Sequence, residues 1–212
     1  MKIILDKVSK RFNRDWLFRN LDYQFETANA YAIVGPNGSG KTTLLKIISG
    51  MTPCTEGQVS HTVENKTIDP DQVYRYITIA APYMDLPEEL TLQEFLKFHF
   101  GLKPAVNNVS ISDIAESVGL SQAFYKPIHT FSSGMKQRVK LALGIFCTTP
   151  VLLLDEPTTN LDQSGTSWYL NEIEALSIDK ILIISSNQPV EYQFCKHIID
   201  LNHHRTSKKS QL

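Results

Sequence analysis

The chain has 212 residues, enough for one large domain with a full hydrophobic core. Apolar residues make up 42% and charged residues 20%, the proportions of an ordinary soluble globular protein. With 21 Lys and Arg against 22 Asp and Glu the net charge is −1, which gives no overall attraction for nucleic acid, and no apolar run approaches the roughly 18 residues that cross a bilayer.

The opening stretch MKIILDKVSKRF is interrupted by Asp6 and Lys7 and lacks the long apolar centre and cleavage site of a secretory leader. Residues 3–9 and 16–25 read as two early strands. Residues 30–34 (AYAIV) read as a buried strand stopped by glycine, and Gly40 to Ser49 has helical spacing with Leu44, Leu45, Ile47 and Ile48 on its apolar side. Residues 75–80 (RYITIA) are a further strand candidate. Thr91 and Glu94 form a capping box that opens a helix through Leu92, Phe95, Leu96 and Phe98. Asn107 and Asn108 read as a loop, followed by a second helix through Ile114 and Val118. Residues from about 86 to 129 therefore read as a small helical insert. A helix over 134–146, a strand over 151–154, a helix over 164–176 and a strand over 181–185 follow. Continuously apolar strands alternating with helices predict a parallel sheet covered on both faces. The polar, basic end from His203 reads as a frayed tail, and His203 with His204 makes a poor metal site without further ligands. Cys54, Cys147 and Cys195 form no paired motif and read as buried, reduced thiols of a cytosolic protein.

The segment Gly35-Pro36-Asn37-Gly38-Ser39-Gly40-Lys41-Thr42 fits G-x-x-x-x-G-K-[ST], with a strand before it and a helix after it. Small residues let the backbone wrap a phosphate chain with its N–H groups turned inward, and the following helix adds its dipole. Lys41 reaches the β- and γ-phosphates, the Thr42 hydroxyl ligates Mg²⁺, and Thr43 continues the cradle. Val151 to Pro157 then places Asp155 and Glu156 where a buried strand emerges, the end of an open α/β sheet at which ligands bind. Asp155 suits Mg²⁺, and Glu156 suits a general base that activates water. The expected ligands are ATP and Mg²⁺.

A third segment, Phe131-Ser132-Ser133-Gly134-Met135-Lys136-Gln137-Arg138, resembles the signature sequence of the ATP-binding cassette (ABC) transporter ATPases, and it lies shortly before the acidic strand. Ser132 and Gly134 match its key serine and glycine; Met135 and Phe131 replace the usual glutamine and leucine. The Met-Lys-Gln-Arg ending is similar to that of export-type members. Pro157 to Asp162 resembles the stretch ending in the family's D-loop aspartate, Asp162. Phe12 sits where the family stacks an aromatic ring on adenine; Trp16 nearby reads as core packing.

The resemblance covers essentially the whole chain. It implies a single α/β domain over 1–212: a RecA-like P-loop NTPase core with an N-terminal antiparallel strand region and a helical subdomain. It also implies two cassettes paired head to tail, as a homodimer or heterodimer. Each ATP would lie between one phosphate loop and the other subunit's Ser132, Ser133 and Gly134. A separate integral-membrane permease would dock near the helical insert and hold the subunit on the cytoplasmic face of the membrane. Catalytic roles fall on Glu156, Lys41 and Asn187.

Two positions depart from the family pattern. The strand ending at Ala80 leads to Ala81-Pro82-Tyr83 where the family has a glutamine, and Gln72 and Gln93 lie too far to either side. Asn187 stands where the family has a histidine; an amide can donate a hydrogen bond to phosphate but cannot carry the charge or relay a proton. Slower hydrolysis is the expectation, and a nucleotide-dependent switch with weak turnover is the alternative. A soluble relative acting in DNA repair or translation is disfavoured by the neutral charge and by a sequence with no second cassette, coiled-coil insert or zinc motif.

Overall fold

The computed structural model describes residues 1–106, 109–176 and 178–204. The loop expected at Asn107 and Asn108 and the tail from residue 205 onward lie outside the described residues.

The N-terminal half opens with two long strands, β1 (Lys2–Phe12) and β2 (Asp15–Glu26), folded back on each other by a tight turn in which Asn13 takes φ 52°. Asparagine accepts that left-handed conformation more readily than most residues. Alternation buries Ile3, Leu5, Phe18, Leu21 and Phe25 and leaves their neighbours facing solvent. Two further strands, β4 (Glu56–Val63) and β5 (Lys66–Thr67), complete an antiparallel sheet in the order β2-β1-β4-β5 among the described residues.

The second sheet is parallel, in the order β6 (Ile77–Ala80), β7 (Val151–Asp155), β8 (Ile181–Ser185), β3 (Asn29–Val34) and β9 (His197–Asp200). Every residue of β7 and β8 is buried because both sheet faces are covered. Val151, Leu153, Ile181 and Ile183 turn toward the antiparallel sheet and α1 (Lys41–Ile48). Leu152, Leu154, Leu182 and Ile184 turn the other way, onto α4 (Ser133–Ile145) and α5 (Gln163–Leu176).

Between β6 and α4 lie α2 (Leu92–Leu102) and α3 (Ile111–Ser117). Thr91 and Ser110 each accept from the N–H three residues on, and Glu94 and Asp113 answer by accepting from the cap N–H, so both helices start with complete capping boxes. Leu92, Phe95, Leu96, Ile114, Val118 and Ile128 form a separate apolar cluster, sealed by Val139, Ala142 and Leu143 of α4. The helix that carries the signature-like segment thus packs against both the parallel sheet and this cluster.

Several expectations need correction. The strand read over 75–80 begins only at Ile77: Asp69 accepts from the Asp71 N–H and Pro70 starts a 3-10 turn, Pro70–Arg75, that ends at Tyr76. Strands β4, β5 and β9 and the short α6 (Pro189–Tyr192) were not expected. His203 and His204 belong to a 3-10 turn, Leu201–His204, rather than to a frayed tail. Cys54 is only half-buried, unlike Cys147 and Cys195, although all three are free thiols.

Candidate functional site

The carboxyl ends of β3, β7, β8 and β6 meet at one edge of the parallel sheet. Asp155 pairs in register with Ser185, the Glu156 N–H donates to Ser185 O at 2.8 Å, and the Ser186 N–H donates to Ile33 O at 3.2 Å. These bonds align the loops that leave the strands.

After β3 the chain turns through residues 35–40 into α1. Gly40 holds φ 101°, and a Cβ there would lie 3.1 Å from the buried Phe18 ring, so the turn needs glycine both for its conformation and for its space. Lys41 is 6% exposed, and its ammonium donates to Gly35 O at 2.8 Å and Pro36 O at 3.5 Å. The cation is therefore held inside the curl of its own loop. Phe12, Leu17, Asn37, Gly38, Gly40, Lys41, Thr42, Thr43 and Glu156 line an open cleft of about 370 Å³. Sequence reading placed all of these there except Leu17, whose position one strand residue after Trp16 carries no motif.

The Thr42 hydroxyl donates to Asp155 Oδ2 at 2.5 Å. Asp155 is 3% exposed, and its Oδ1 has no hydrogen-bond partner. A buried carboxylate oxygen left unpaired beside a hydroxyl calls for a further partner. Hard oxygen donors on a phosphate-binding loop are the set a magnesium ion takes, so the residues present fit that ion. Glu156, next in sequence, takes φ 43°, a left-handed conformation that costs a non-glycine residue energy and that clusters at functional sites.

The two departures lie beside this cleft rather than in its lining. Tyr83 is 40% exposed, with the Lys46 ammonium 4.2 Å from its ring centroid. Burial, and then the Asp155 charge, push its hydroxyl up to about 12. The loop before it is anchored by the Lys140 ammonium of α4, which donates to Pro82 O at 2.7 Å. Asn187 is exposed, and its amide donates to Asn37 Oδ1 at 2.6 Å, closing the mouth of the phosphate loop.

Phe12 is 53% exposed at the rim, and the Lys10 ammonium lies 5.1 Å from its ring centroid. Trp16 is not in the core. It sits between the Arg11 and Arg19 guanidinium groups, 5.1 and 4.3 Å from its ring centroid, because the register of β1 and β2 puts Arg11 opposite it.

Ser132, Ser133 and Gly134 do not join this cleft. They line a second one, of about 560 Å³, together with Arg138, Asn160 and Asp162. Ser132 caps α4 by accepting from the Met135 N–H at 3.2 Å. A Cβ on Gly134 would stand 2.8 Å from Asn160 O, so only glycine lets the two loops approach this closely. Asp162 accepts from the Gly165 N–H at 2.8 Å and from Arg138 at 2.6 Å, and these bonds, the backbone one foremost, hold its carboxyl below the usual range. Sequence reading missed two buried side chains that steady the acidic loop. Gln137 donates to Pro157 O at 2.8 Å, and Glu191 accepts from the Thr158 N–H at 2.8 Å.

The ABC transporter family matches residues 18–159. An uncharacterised ABC transporter ATP-binding protein of Bacillus subtilis, YybJ, is 30% identical over 208 residues, covering 95% of this chain and 94% of that one. The cytochrome c biogenesis ATP-binding export protein CcmA of Rhizobium meliloti is 27% identical, covering 93% and 97%. A solved ABC transporter ATP-binding protein from Pyrococcus furiosus superposes with a TM-score of 0.81 at 26% identity, over 97% of this chain and 100% of that one. A dimeric ATP-binding cassette in a post-hydrolysis state with ADP and Pi superposes at 0.78, with 21% identity over 93% of each chain.

Proposed function

This chain belongs to the ABC transporter family, and from that premise we propose how its ATP site works. It is an ATP-binding and ATP-hydrolysing transporter subunit with the P-loop NTPase fold. The observation that carries the reading of the site is the Thr42–Asp155 bond beside the unpaired Asp155 Oδ1. In it the phosphate loop and the acidic strand end share one place for a cation.

In this reading the adenine stacks on Phe12 beside Leu17, and the N–H groups of residues 37–43 wrap the phosphates. Lys41 exchanges the carbonyls of Gly35 and Pro36 for β- and γ-phosphate oxygens, replacing dipoles by full charges. Thr42 and Asp155 would hold Mg²⁺, which would supply charge neutralisation at the phosphates. Glu156 orients water and takes its proton. Asn187 releases Asn37 and donates its amide N–H to the γ-phosphate.

Ser132, Ser133 and Gly134 lie in a different cleft from Lys41, so they serve a nucleotide held by another subunit. The opening turn of α4 offers that nucleotide N–H groups and a helix dipole. The dimer of the structural relative supports this pairing, whether of identical or of different chains. No helix of the described residues is long and apolar enough to cross a membrane. In the proposed reading the pathway belongs to a separate permease docked near α2 and α3, with this subunit on the cytoplasmic face. The export protein among the relatives favours outward transport.

The test is ATP turnover by the purified chain with Mg²⁺, beside Lys41→Ala and Glu156→Gln. We expect turnover in the parent chain and its loss in both variants, with nucleotide binding retained in Glu156→Gln. Turnover unaffected by Glu156→Gln would remove that residue from the mechanism.

A further inference from the structure

Glu191 has no exposed surface, yet neither the phosphate loop nor the acidic strand end uses it. It lies on α6, four residues after Asn187. Its Oε1 accepts from the Thr158 N–H at 2.8 Å and from the Thr158 hydroxyl, while Oε2 has no partner. Its own backbone is fixed: the Glu191 N–H donates to Gln188 O at 3.0 Å, and the Tyr169 hydroxyl of α5 donates to Glu191 O at 3.1 Å. A fully buried carboxylate with half of its accepting capacity unused is a costly way to hold two loops if holding them is its whole purpose.

Its position shows what it joins. Asn187 touches Asn37 of the phosphate loop at one end of the segment. At the other end Thr158 begins the loop in which Leu161 N–H donates to Thr158 O at 3.0 Å and Asn160 O lies against Gly134. Glu191 thus ties the segment that reaches Asn37 of the first cleft to the loop that lines the second.

We propose that Glu191 is a positioning residue that couples occupancy of the phosphate-loop cleft to the placement of residues 158–162 in the cleft at the start of α4. When the Asn187 segment moves onto a bound phosphate, Glu191 carries Thr158 with it. The inference takes the nucleotide as ligand from the reading above.

The test is hydrogen exchange of the full chain, with and without a non-hydrolysable ATP analogue and Mg²⁺, in the parent, Glu191→Ala and Glu191→Gln. In the parent the analogue slows exchange at residues 35–43 and at 157–162. In Glu191→Ala the response at 35–43 persists while that at 157–162 is lost. The kcat falls on the order of tenfold and KM stays within about threefold, the pattern of a misplaced rather than a missing binding group. Glu191→Gln keeps a carbonyl acceptor for Thr158 and restores most of both. If the alanine variant does not fold, Thr158→Val, which loses the hydroxyl but keeps the volume and the N–H, must reduce the response at 157–162. An unchanged response at 157–162 in a folded Glu191→Ala, or in Thr158→Val, overturns the proposal. A parent chain that shows no response at 35–43 overturns the nucleotide reading instead.

Discussion

The wall of the site built from the ends of β3 and β7 is buried and cross-tied, whereas the wall built from the loops after β6 and β8, beside the cleft itself, carries exposed side chains. On the first, Lys41 and Asp155 are 6% and 3% exposed, and a side-chain bond joins Thr42 to Asp155. On the second, Tyr83 is 40% exposed and Asn187 reaches the phosphate loop through a single amide. Both departures from the family pattern fall on the second wall. Groups that must be in place before the ligand arrives belong on a rigid frame, because positioning them in advance removes that cost from the binding step. Groups that respond to the ligand must have somewhere to move, and a change of residue type there disturbs less of the fold.

The largest expected effect breaks the first wall. Glu156→Gln keeps the shape but removes the carboxylate proposed as base, and turnover should fall by about 10²- to 10⁴-fold with ATP affinity retained. Steady-state hydrolysis together with equilibrium nucleotide binding measures both halves of that statement. A loss of binding in parallel with turnover would make Glu156 part of the cradle rather than the base.

Phe12→Ala comes next, at the rim of the cleft. Losing a stacked ring costs about 1–3 kcal/mol, or roughly 5- to 150-fold in ATP affinity. The phosphate contacts do not involve this ring, so kcat at saturation should hold. Trp16→Ala serves as the control. Its ring is already engaged by Arg11 and Arg19, so ATP affinity should change by less than about threefold if it takes no part in stacking.

The same contrast explains what was legible in the sequence. The phosphate loop and the acidic strand end are local patterns, where spacing alone fixes which backbone groups and side chains converge, and the structure brings them into one cleft. The strands β7 and β8 were readable because covering both faces makes every residue apolar. Strands β4 and β5 were not, since Glu56, Gly57, Gln58, Lys66 and Thr67 are exposed and the hairpin shows little alternation. Strand β9 is an edge strand with a single fully buried residue, Ile199. Gln137 and Glu191 escaped notice for a different reason. Their partners lie 20 and 33 residues away, and no spacing rule reports a polar side chain whose purpose is a distant backbone group. Trp16 was misassigned because aromatic residues in strands usually enter the core, and only the register opposite Arg11 reveals the surface stack.

Asn187 allows the second wall to be tested in both directions. Asn187→Ala removes the amide donor, and turnover should drop by on the order of tenfold, the cost of one hydrogen bond to a charged group. Asn187→His should raise turnover above the parent, because an imidazole can carry charge and relay a proton where the amide cannot. If alanine matches the parent, the bond to Asn37 is a resting contact with no counterpart on the phosphate.

The smallest effect concerns Tyr83. Its hydroxyl is pushed up to about 12, burial acting first and the Asp155 carboxylate second, and both causes favour the neutral form. A raised value in a group that is neutral when protonated means that the hydroxyl keeps its proton throughout the range in which the enzyme is assayed. It is available there as a donor and never as a base. Tyr83→Phe should therefore leave the pH profile of turnover unchanged and lower kcat by only about two- to tenfold, the value of one neutral hydrogen bond. The ring stays on the Lys46 ammonium in that variant. Tyr83→Ala removes both contacts and should cost more than Tyr83→Phe. Equal losses in the two would place the whole contribution in the hydroxyl. No loss in either would mean that the first wall, with its buried lysine and aspartate, carries hydrolysis without help from the loop after β6.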